Sequence, residues 1–240
     1  MTEPILYLIP TPLGTPQTPS LLPHEQTLIL GLTDFVVEAE KTARAHLKAF
    51  GVHTPIRELN LSVLNEHTAN NDISALLQPL RQGRSLGLLS EAGCPAVADP
   101  GARLVALAHQ ENFTVMPLIG PSSIMLALMA SGTNGQCFAF KGYLPVEKQA
   151  RLISLRELEQ RSIQHNETQI FIETPYRNDN LLADAITQLH PQTQLCIAAD
   201  LTLPTQSIIS QSIADWRRIK TLPILKKRPC IFVVYAGTTA

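Results

Sequence analysis

The stretch "SLGLLSEAGCPAVADPG", residues 85–101, decides how this chain folds. Its first part, Leu86 to Leu89, is a short continuous apolar run. Such a run reads as a strand buried on both faces, and strands of that kind belong to parallel sheets covered by helices on either side. Small residues, Pro95 and Pro100, and the carboxylates Glu91 and Asp99 follow, and a helical pattern starts at Gly101. In an open parallel sheet, ligands bind beyond the carboxyl ends of the strands. Ala92, Gly93 and Ala98 let backbone N–H and C=O groups approach a ligand, while the prolines fix the path of the loop. The loop suits a flat, hydrogen-bonding group such as a nucleoside.

Working outward, strands are predicted at 5–9, 35–38, 85–90, 114–118, 138–142, 168–173, 195–199, 207–210 and 230–236. Helical patterns occupy 24–32, 42–50, 71–82, 101–110, 121–131, 148–161, 178–189 and 212–219. This alternation predicts an α/β architecture, mainly parallel in the first half and mixed in the second, where strands lie closer together. "MPLIGPSS" (116–123) ends a strand and opens a helix at Gly120-Pro121, which suggests two α/β domains, 1–118 and 119–240. A ligand would then favour the cleft between them.

Composition narrows the function. The chain has 240 residues, 45% of them hydrophobic, and a net charge of -1, which gives no whole-protein attraction to nucleic acid. No apolar run approaches the roughly 20 residues needed to span a bilayer. "MTEPILYLIP" lacks a basic n-region, so the sequence reads as that of a cytoplasmic protein with no membrane partner. Cys94, Cys137, Cys196 and Cys230 are widely separated and form no metal-ligand spacing. No metal site is expected, and the thiols read as buried small hydrophobes.

The turn after the first strand, "PTPLGT" (10–15), has prolines where a phosphate-binding turn needs free N–H groups and lacks G-x-G-x-x-G. Glu38, ending the second strand, occupies the place of a dinucleotide fold's ribose acid, but without the glycine turn that match is weak. A dinucleotide is therefore disfavoured, and no triphosphate loop is present. Ser122 and Ser123 open a helix whose N–H groups would suit a carboxylate, or they are ordinary caps.

"LIPTPLGT", "SEAGCPAVADPG", "PLIGPSSIMLALMASG", "FAFKGYLP" and "FIETPYRN" together resemble successive motifs of the tetrapyrrole methylase superfamily, in its branch related to ribosomal RNA small subunit methyltransferase I. The resemblance covers nearly the whole chain. It implies a two-domain homodimer binding S-adenosylmethionine in the interdomain cleft and, in that branch, 2′-O-methylation of a cytidine in 16S rRNA on the small ribosomal subunit. Carried over by position, it implies a cofactor surface of Pro12, Leu13, Ser90, Glu91, Ala92, Gly93, Ala98, Asp99, Pro100, Ser122 and Ser123. From the second half it adds Ile172, Glu173, Ala198, Ala199, Pro229, Cys230 and Ile231.

Methyl transfer to a ribose hydroxyl needs positioning and a base. Glu38, Glu91, Asp99, Glu173 and His67 are candidates. Glu38 and Glu173 are favoured as catalytic residues because both end strands directed at the expected cleft. Glu91 and Asp99 have alternative roles as loop caps, and His67 reads as a turn residue. Tyr176 and Arg177 are candidates for substrate binding, although an Arg177–Glu173 ion pair would account for them equally. The basic segment "WRRIKTLPILKKRP" (216–229) suits RNA phosphates or a solvated loop.

The chain departs from its branch on the expected substrate side. "A-E-D-T-R" is replaced by "VEAEK" at 37–41, "S-D-A-G-T-P" by "SEAGCP", and "E-S-T-H-R" by "ETPYR". The readings carried forward are a methyltransferase acting on structured rRNA, a methyltransferase acting on a small molecule or modified protein residue, and a non-catalytic cofactor-binding regulatory module.

Overall fold

The computed structural model describes residues 3–15 and 20–237. The chain divides into two compact units, Met1–Ser122 and Ser123–Ala240.

The first unit runs β1 (Ile5–Ile9), α1 (Pro23–Ile29), β2 (Asp34–Val37), α2 (Glu40–Phe50), β3 (Asn60–Val63), α3 (Asn70–Ile73), α4 (Gln78–Arg81), β4 (Leu86–Leu89), α5 (Gly101–Gln110) and β5 (Thr114–Pro117). Its sheet has the order β3-β2-β4-β1-β5. Every pairing in it is parallel. β2 and β4 are buried along their whole length; β4 is wholly apolar, and β2 is apolar after Asp34, whose buried carboxylate pairs with Arg84 at 3.2 Å.

Alternate residues along each strand feed two cores. Tyr7, Ile9, Phe35, Val37 and Leu89 pack with Ile29 of α1 and Leu47 and Phe50 of α2 on one face. Leu6, Val36, Leu86 and Leu88 pack with Ile73, Leu80 and Leu104 of α3, α4 and α5 on the other. The chain leaving β1 therefore turns to one face and the chain leaving β4 to the opposite face. Because β1 and β4 are neighbours, the crevice beyond their carboxyl ends is the topological switch point of the sheet. Gly87 is needed where it stands, since a Cβ there would lie 2.5 Å from the Phe35 ring.

The second unit runs α6 (Ser123–Ser131), β6 (Phe138–Tyr143), α7 (Lys148–His165), β7 (Thr168–Ile172), α8 (Asn178–Gln188), β8 (Gln194–Ala199), β9 (Ser207–Ser212), α9 (Ile213–Trp216) and β10 (Cys230–Tyr235). Its sheet order is β6-β7-β10-β8-β9. Only the β6–β7 pair is parallel; the others are antiparallel. β10, wholly buried, is the central strand. The core joins Phe171, Ile197, Phe232 and Val234 to Leu155 and Leu158 of α7 and Leu181 and Leu182 of α8. A buried ion pair, Arg151–Asp184 at 2.5 Å, links α7 to α8.

The structure corrects several sequence expectations. β3 was not foreseen: "NLSV" alternates polar and apolar residues over only four positions at an exposed sheet edge, too short a run to stand out. The helix expected at 71–82 is broken into α3, a 3-10 turn at Ser74–Leu77, and α4, which starts afresh around Pro79. The helix expected at 212–219 is a single turn. Cys196 and Cys230 are buried, but Cys94 and Cys137 are only partly so.

Candidate active site

In the first unit, the switch-point crevice is floored by two loops tied to each other. The backbone N–H of Thr11 donates to the Gly93 carbonyl at 2.9 Å, and the N–H of Gly93 donates to the Thr11 carbonyl at 3.0 Å. The Ser90 hydroxyl also donates to the Gly93 carbonyl, at 3.1 Å, and the Thr11 hydroxyl donates to the Ser90 carbonyl. Gly93 has φ +82°, and a Cβ there would lie 3.1 Å from Leu13 Cδ2 and 3.4 Å from the Pro121 carbonyl oxygen. The left-handed φ favours glycine, and a Cβ would need Leu13 to give by a few tenths of an ångström. Pro12 is buried and Leu13 half-buried beside it, whereas Glu91 and Ala92 are exposed at the rim.

Further along, Ala96 and Ala98 hold left-handed backbone angles, φ 65° and 60°, which cost an L-residue roughly 1 kcal/mol each. Asp99 secures this bend by accepting the N–H groups of Ala96 at 2.9 Å and Gly101 at 2.7 Å. Burial raises its carboxyl above the ordinary range despite those two bonds. Asp99 is therefore engaged in holding the loop and, with Pro100, in starting α5. Ser122 precedes α6, and Ser123 is its first residue.

Glu38 follows the last residue of β2, and its Oε2 accepts the Glu91 N–H at 2.7 Å. Burial raises the Glu38 carboxyl, with the charges of Asp99 and Glu91 adding to the effect and the Glu91 N–H opposing it. His46, on α2, places Nε2 3.3 Å from the Glu91 carbonyl oxygen. A carbonyl only accepts, so Nε2 carries the proton. Nδ1 is buried with no partner among the described residues. Burial pushes the imidazole below its ordinary pKa. Thr42 reaches the Glu91 carboxylate at 3.4 Å. His67 is remote from this group: it is highly exposed, beside Glu66, in the turn expected of it.

In the second unit, strand register collects the predicted residues at one end of the sheet. Ile231 stands opposite both Ile172 and Ala198, and Cys230 opposite Ala199. The Pro229 carbonyl accepts the Asp200 N–H at 2.9 Å. Glu173 directly follows β7 with its side chain fully buried; Oε1 accepts the Thr174 N–H and Arg177 Nη2, both at 2.6 Å. Burial would raise this carboxyl, but the Arg177 guanidinium and the Thr174 N–H hold it below the ordinary range. Glu173 Oε2, Arg177 Nε and Asn178 Oδ1 are buried without partners among the described residues. These groups lie between the end of β7 and the first residue of α8, and each is of a kind that is ordinarily hydrogen-bonded when buried. Tyr176 is 72% exposed.

Sequence reasoning missed several of these residues. Thr11 and Asn178 lie within the quoted motifs and Arg228 within the basic segment without having been singled out as site residues, whereas Thr42, His46 and Asp200 carry no motif, and His46 sits at a core position of an amphipathic helix. The basic segment also resolves into parts. Trp216 is buried, donating from Nε1 to the Leu195 carbonyl at 2.9 Å. Arg217 donates to the Ile186 and Leu189 carbonyls at the end of α8, and Arg228 pairs with Asp200 at 2.7 Å. Lys220, Lys226 and Lys227 are exposed. Among the described residues, no group of three His, Cys, Asp or Glu side chains is arranged to hold a metal, and no helix is long and apolar enough to cross a membrane.

No family model matches the chain. It is 30% identical over 212 residues to ribosomal RNA small subunit methyltransferase I of Vibrio cholerae, covering 88% of this chain and 70% of that protein. The protein of the same name from Synechocystis is 32% identical, covering 82% and 67%. That from Mesorhizobium japonicum is 34% identical, covering 83% and 64%. Among solved structures, the methyltransferase CobJ superposes with a TM-score of 0.62 at 17% identity, covering 98% of this chain and 94% of that one. The cobalt precorrin-4 methyltransferase CbiF gives 0.59 at 13% identity, covering 96% and 94%. These two likenesses concern the fold.

Proposed function

This chain belongs to the ribosomal RNA small subunit methyltransferase I family, and we propose that it uses S-adenosylmethionine to methylate structured small-subunit rRNA, at a cytidine 2′-hydroxyl of 16S rRNA. The observation that carries the reading is the Thr11–Gly93 platform at the switch point of the first sheet. It is built of backbone groups, carries no cation among the described residues, has the carboxylates of Glu38, Glu91 and Asp99 beside it, and is kept open by a glycine whose Cβ would crowd Leu13. Pro10 and Pro12 remove N–H groups that a pyrophosphate would need, so this platform suits a nucleoside and an amino-acid zwitterion better than a dinucleotide.

The residues present therefore fit the cofactor. Pro12, Leu13, Ser90 to Gly93 and Ala98 to Pro100 would hold it on the first unit, with Ser122 and Ser123 near its carboxylate. In the second unit, the resemblance assigns Ile172, Glu173, Ala198, Ala199 and Pro229 to Ile231 to cofactor binding, and strand register gathers them at one end of that sheet. When bound, the cofactor supplies an electrophilic methyl group on a sulfonium.

Of the two carboxylates favoured as bases, Glu38 is the better matched. Its raised pKa brings its proton affinity closer to that of a working base, whereas Glu173 is held ionised by Arg177. We assign Glu173 to orienting Arg177, and Arg177 with exposed Tyr176 to the substrate: a guanidinium suits a phosphate and a phenol ring packs on a base. Lys220, Lys226 and Lys227 would add phosphate contacts. A homodimer in the cytoplasm completes the reading. Its support is α6, which is apolar all round yet leaves Met125 and Met129 exposed, the latter by 76%.

Two measurements test this. Calorimetry should find S-adenosylhomocysteine bound and nicotinamide dinucleotide not. Labelled methyl groups should then pass to undermodified small ribosomal subunits and, after digestion, be recovered on cytidine. Binding without transfer to those subunits would favour the small-molecule, protein-residue or regulatory alternatives, and absence of binding would overturn the cofactor assignment.

A further inference from the structure

The peptide groups of Glu91 are gripped from two directions by side chains that follow a single strand. Glu91 lies two residues beyond β4, where the ladder with β1 and β2 has ended and its backbone groups need other partners. Glu38 Oε2 takes the Glu91 N–H at 2.7 Å, and His46 Nε2 donates to the Glu91 carbonyl oxygen at 3.3 Å. Glu38 directly follows β2 and His46 lies two turns into α2, so both are placed by the same β2–α2 unit, whose core residues Val37, Leu47 and Phe50 are buried. His46 itself is only 2% exposed and stacks on Phe50 with ring centroids 6.4 Å apart.

We infer that His46 is a positioning residue of this site: through its Nε2–H it fixes the Glu91 carbonyl and thereby the path of Glu91 to Gly93, the segment that meets Thr11. The inference rests on the cofactor reading above for its consequence, but not for the grip itself. The unpartnered Nδ1 explains why a histidine serves here as a neutral donor. A second proton would be buried without an acceptor among the described residues, and Glu91 is the carboxylate facing the ring.

Two substitutions separate positioning from bulk packing. His46→Leu fills the apolar site against Phe50 but cannot donate, whereas the side-chain amide of His46→Gln can present its N–H where Nε2 stands. Amide hydrogen exchange on the free protein reads the grip directly. In His46→Leu the Glu91 and Gly93 amides should exchange about tenfold faster, the scale of one lost buried hydrogen bond, with melting temperature kept. His46→Gln should restore the slow rates. S-adenosylhomocysteine affinity should fall by about tenfold in His46→Leu and recover in His46→Gln. Unchanged exchange in a folded His46→Leu protein, or equal loss in both variants, would overturn the inference. If the unsubstituted protein bound no sulfur nucleoside, the cofactor reading would fail while the exchange comparison still decided the grip.

Discussion

Thr11 and Gly93 exchange both of their backbone hydrogen bonds, at 2.9 and 3.0 Å, and so join the loop leaving β1 to the loop leaving β4. Thr11 is fully buried and its hydroxyl reaches the Ser90 carbonyl, which extends the platform back to the end of β4. The two loops depart to opposite faces of the sheet. Without this bridge nothing in the strand ladder would hold them together beyond Ile9 and Leu89.

Gly93→Val should therefore disable the platform while leaving the sheet intact. The left-handed φ costs a branched residue about 1–2 kcal/mol, and the new side chain must displace Leu13. Thermal unfolding should remain cooperative at a lower midpoint, and S-adenosylhomocysteine binding should vanish in calorimetry. Normal affinity in this variant would remove the loop from the site.

Glu38→Gln should slow turnover by about 100-fold or more, the usual contribution of a general base, with cofactor affinity nearly kept. Its amide oxygen still accepts the Glu91 N–H, so the loss would be of proton affinity alone. Stability should move in a predictable direction as well. A carboxyl raised above its ordinary value of 4.5 stabilises the fold below that pH, and the contribution is lost as pH rises through the raised value. Denaturation curves between pH 4 and 8 should show the parent losing stability relative to the variant with rising pH. Full activity in Glu38→Gln would exclude it as the base.

Glu167 predicts the opposite slope. Arg161 at 2.6 Å and Gln169 at 2.8 Å hold its carboxyl at about 2, against an ordinary 4.5. Its stabilising contribution is thus present above pH 4.5 and is lost as pH falls toward about 2. Glu167→Gln should flatten acid denaturation in that window, with Arg161, half exposed, keeping the effect modest.

Neutralising Lys220, Lys226 and Lys227 together should weaken RNA binding across sequences and reduce the slope of log affinity against log salt by up to about 3. Arg217→Ala should act differently. It removes the donor shared by three carbonyls at the end of α8, those of Ile186, Thr187 and Leu189, and urea denaturation should register a loss of about 1–3 kcal/mol. RNA affinity unchanged in the triple lysine variant would confine the segment to a structural role.

The elements most legible in the sequence were those whose burial imposes a pattern. "LGLL" and "FVV" needed two-sided burial and received it; "CIFVVYA" contained the central strand of the second sheet. β3 was invisible because an exposed edge strand is held by backbone bonds to β2 and asks little of its side chains. The 71–82 pattern concealed two breaks because apolar spacing records which residues face a core and not whether the backbone between them is continuous. The carboxylates following strands at Glu38 and Glu173 were legible because charge at the close of an apolar run is visible in one dimension. Their partners were not, for Glu38 and Glu91 are 53 residues apart in the chain.

Local sequence alone determined the α/β class, a mainly parallel first half and a mixed second half, because periodicity and loop length are properties of neighbouring residues. It also placed a permissive, proline-fixed loop after β4. Tertiary structure decided which residues that loop would answer to. Parallel register set β1, β2 and β4 side by side, and only then did Thr11 meet Gly93, and Glu38 and His46 close on either side of the Glu91 peptide. Hydrogen bonds between distant segments are satisfied by geometry that no single stretch of sequence contains, and the chemistry of this site is assembled from such bonds.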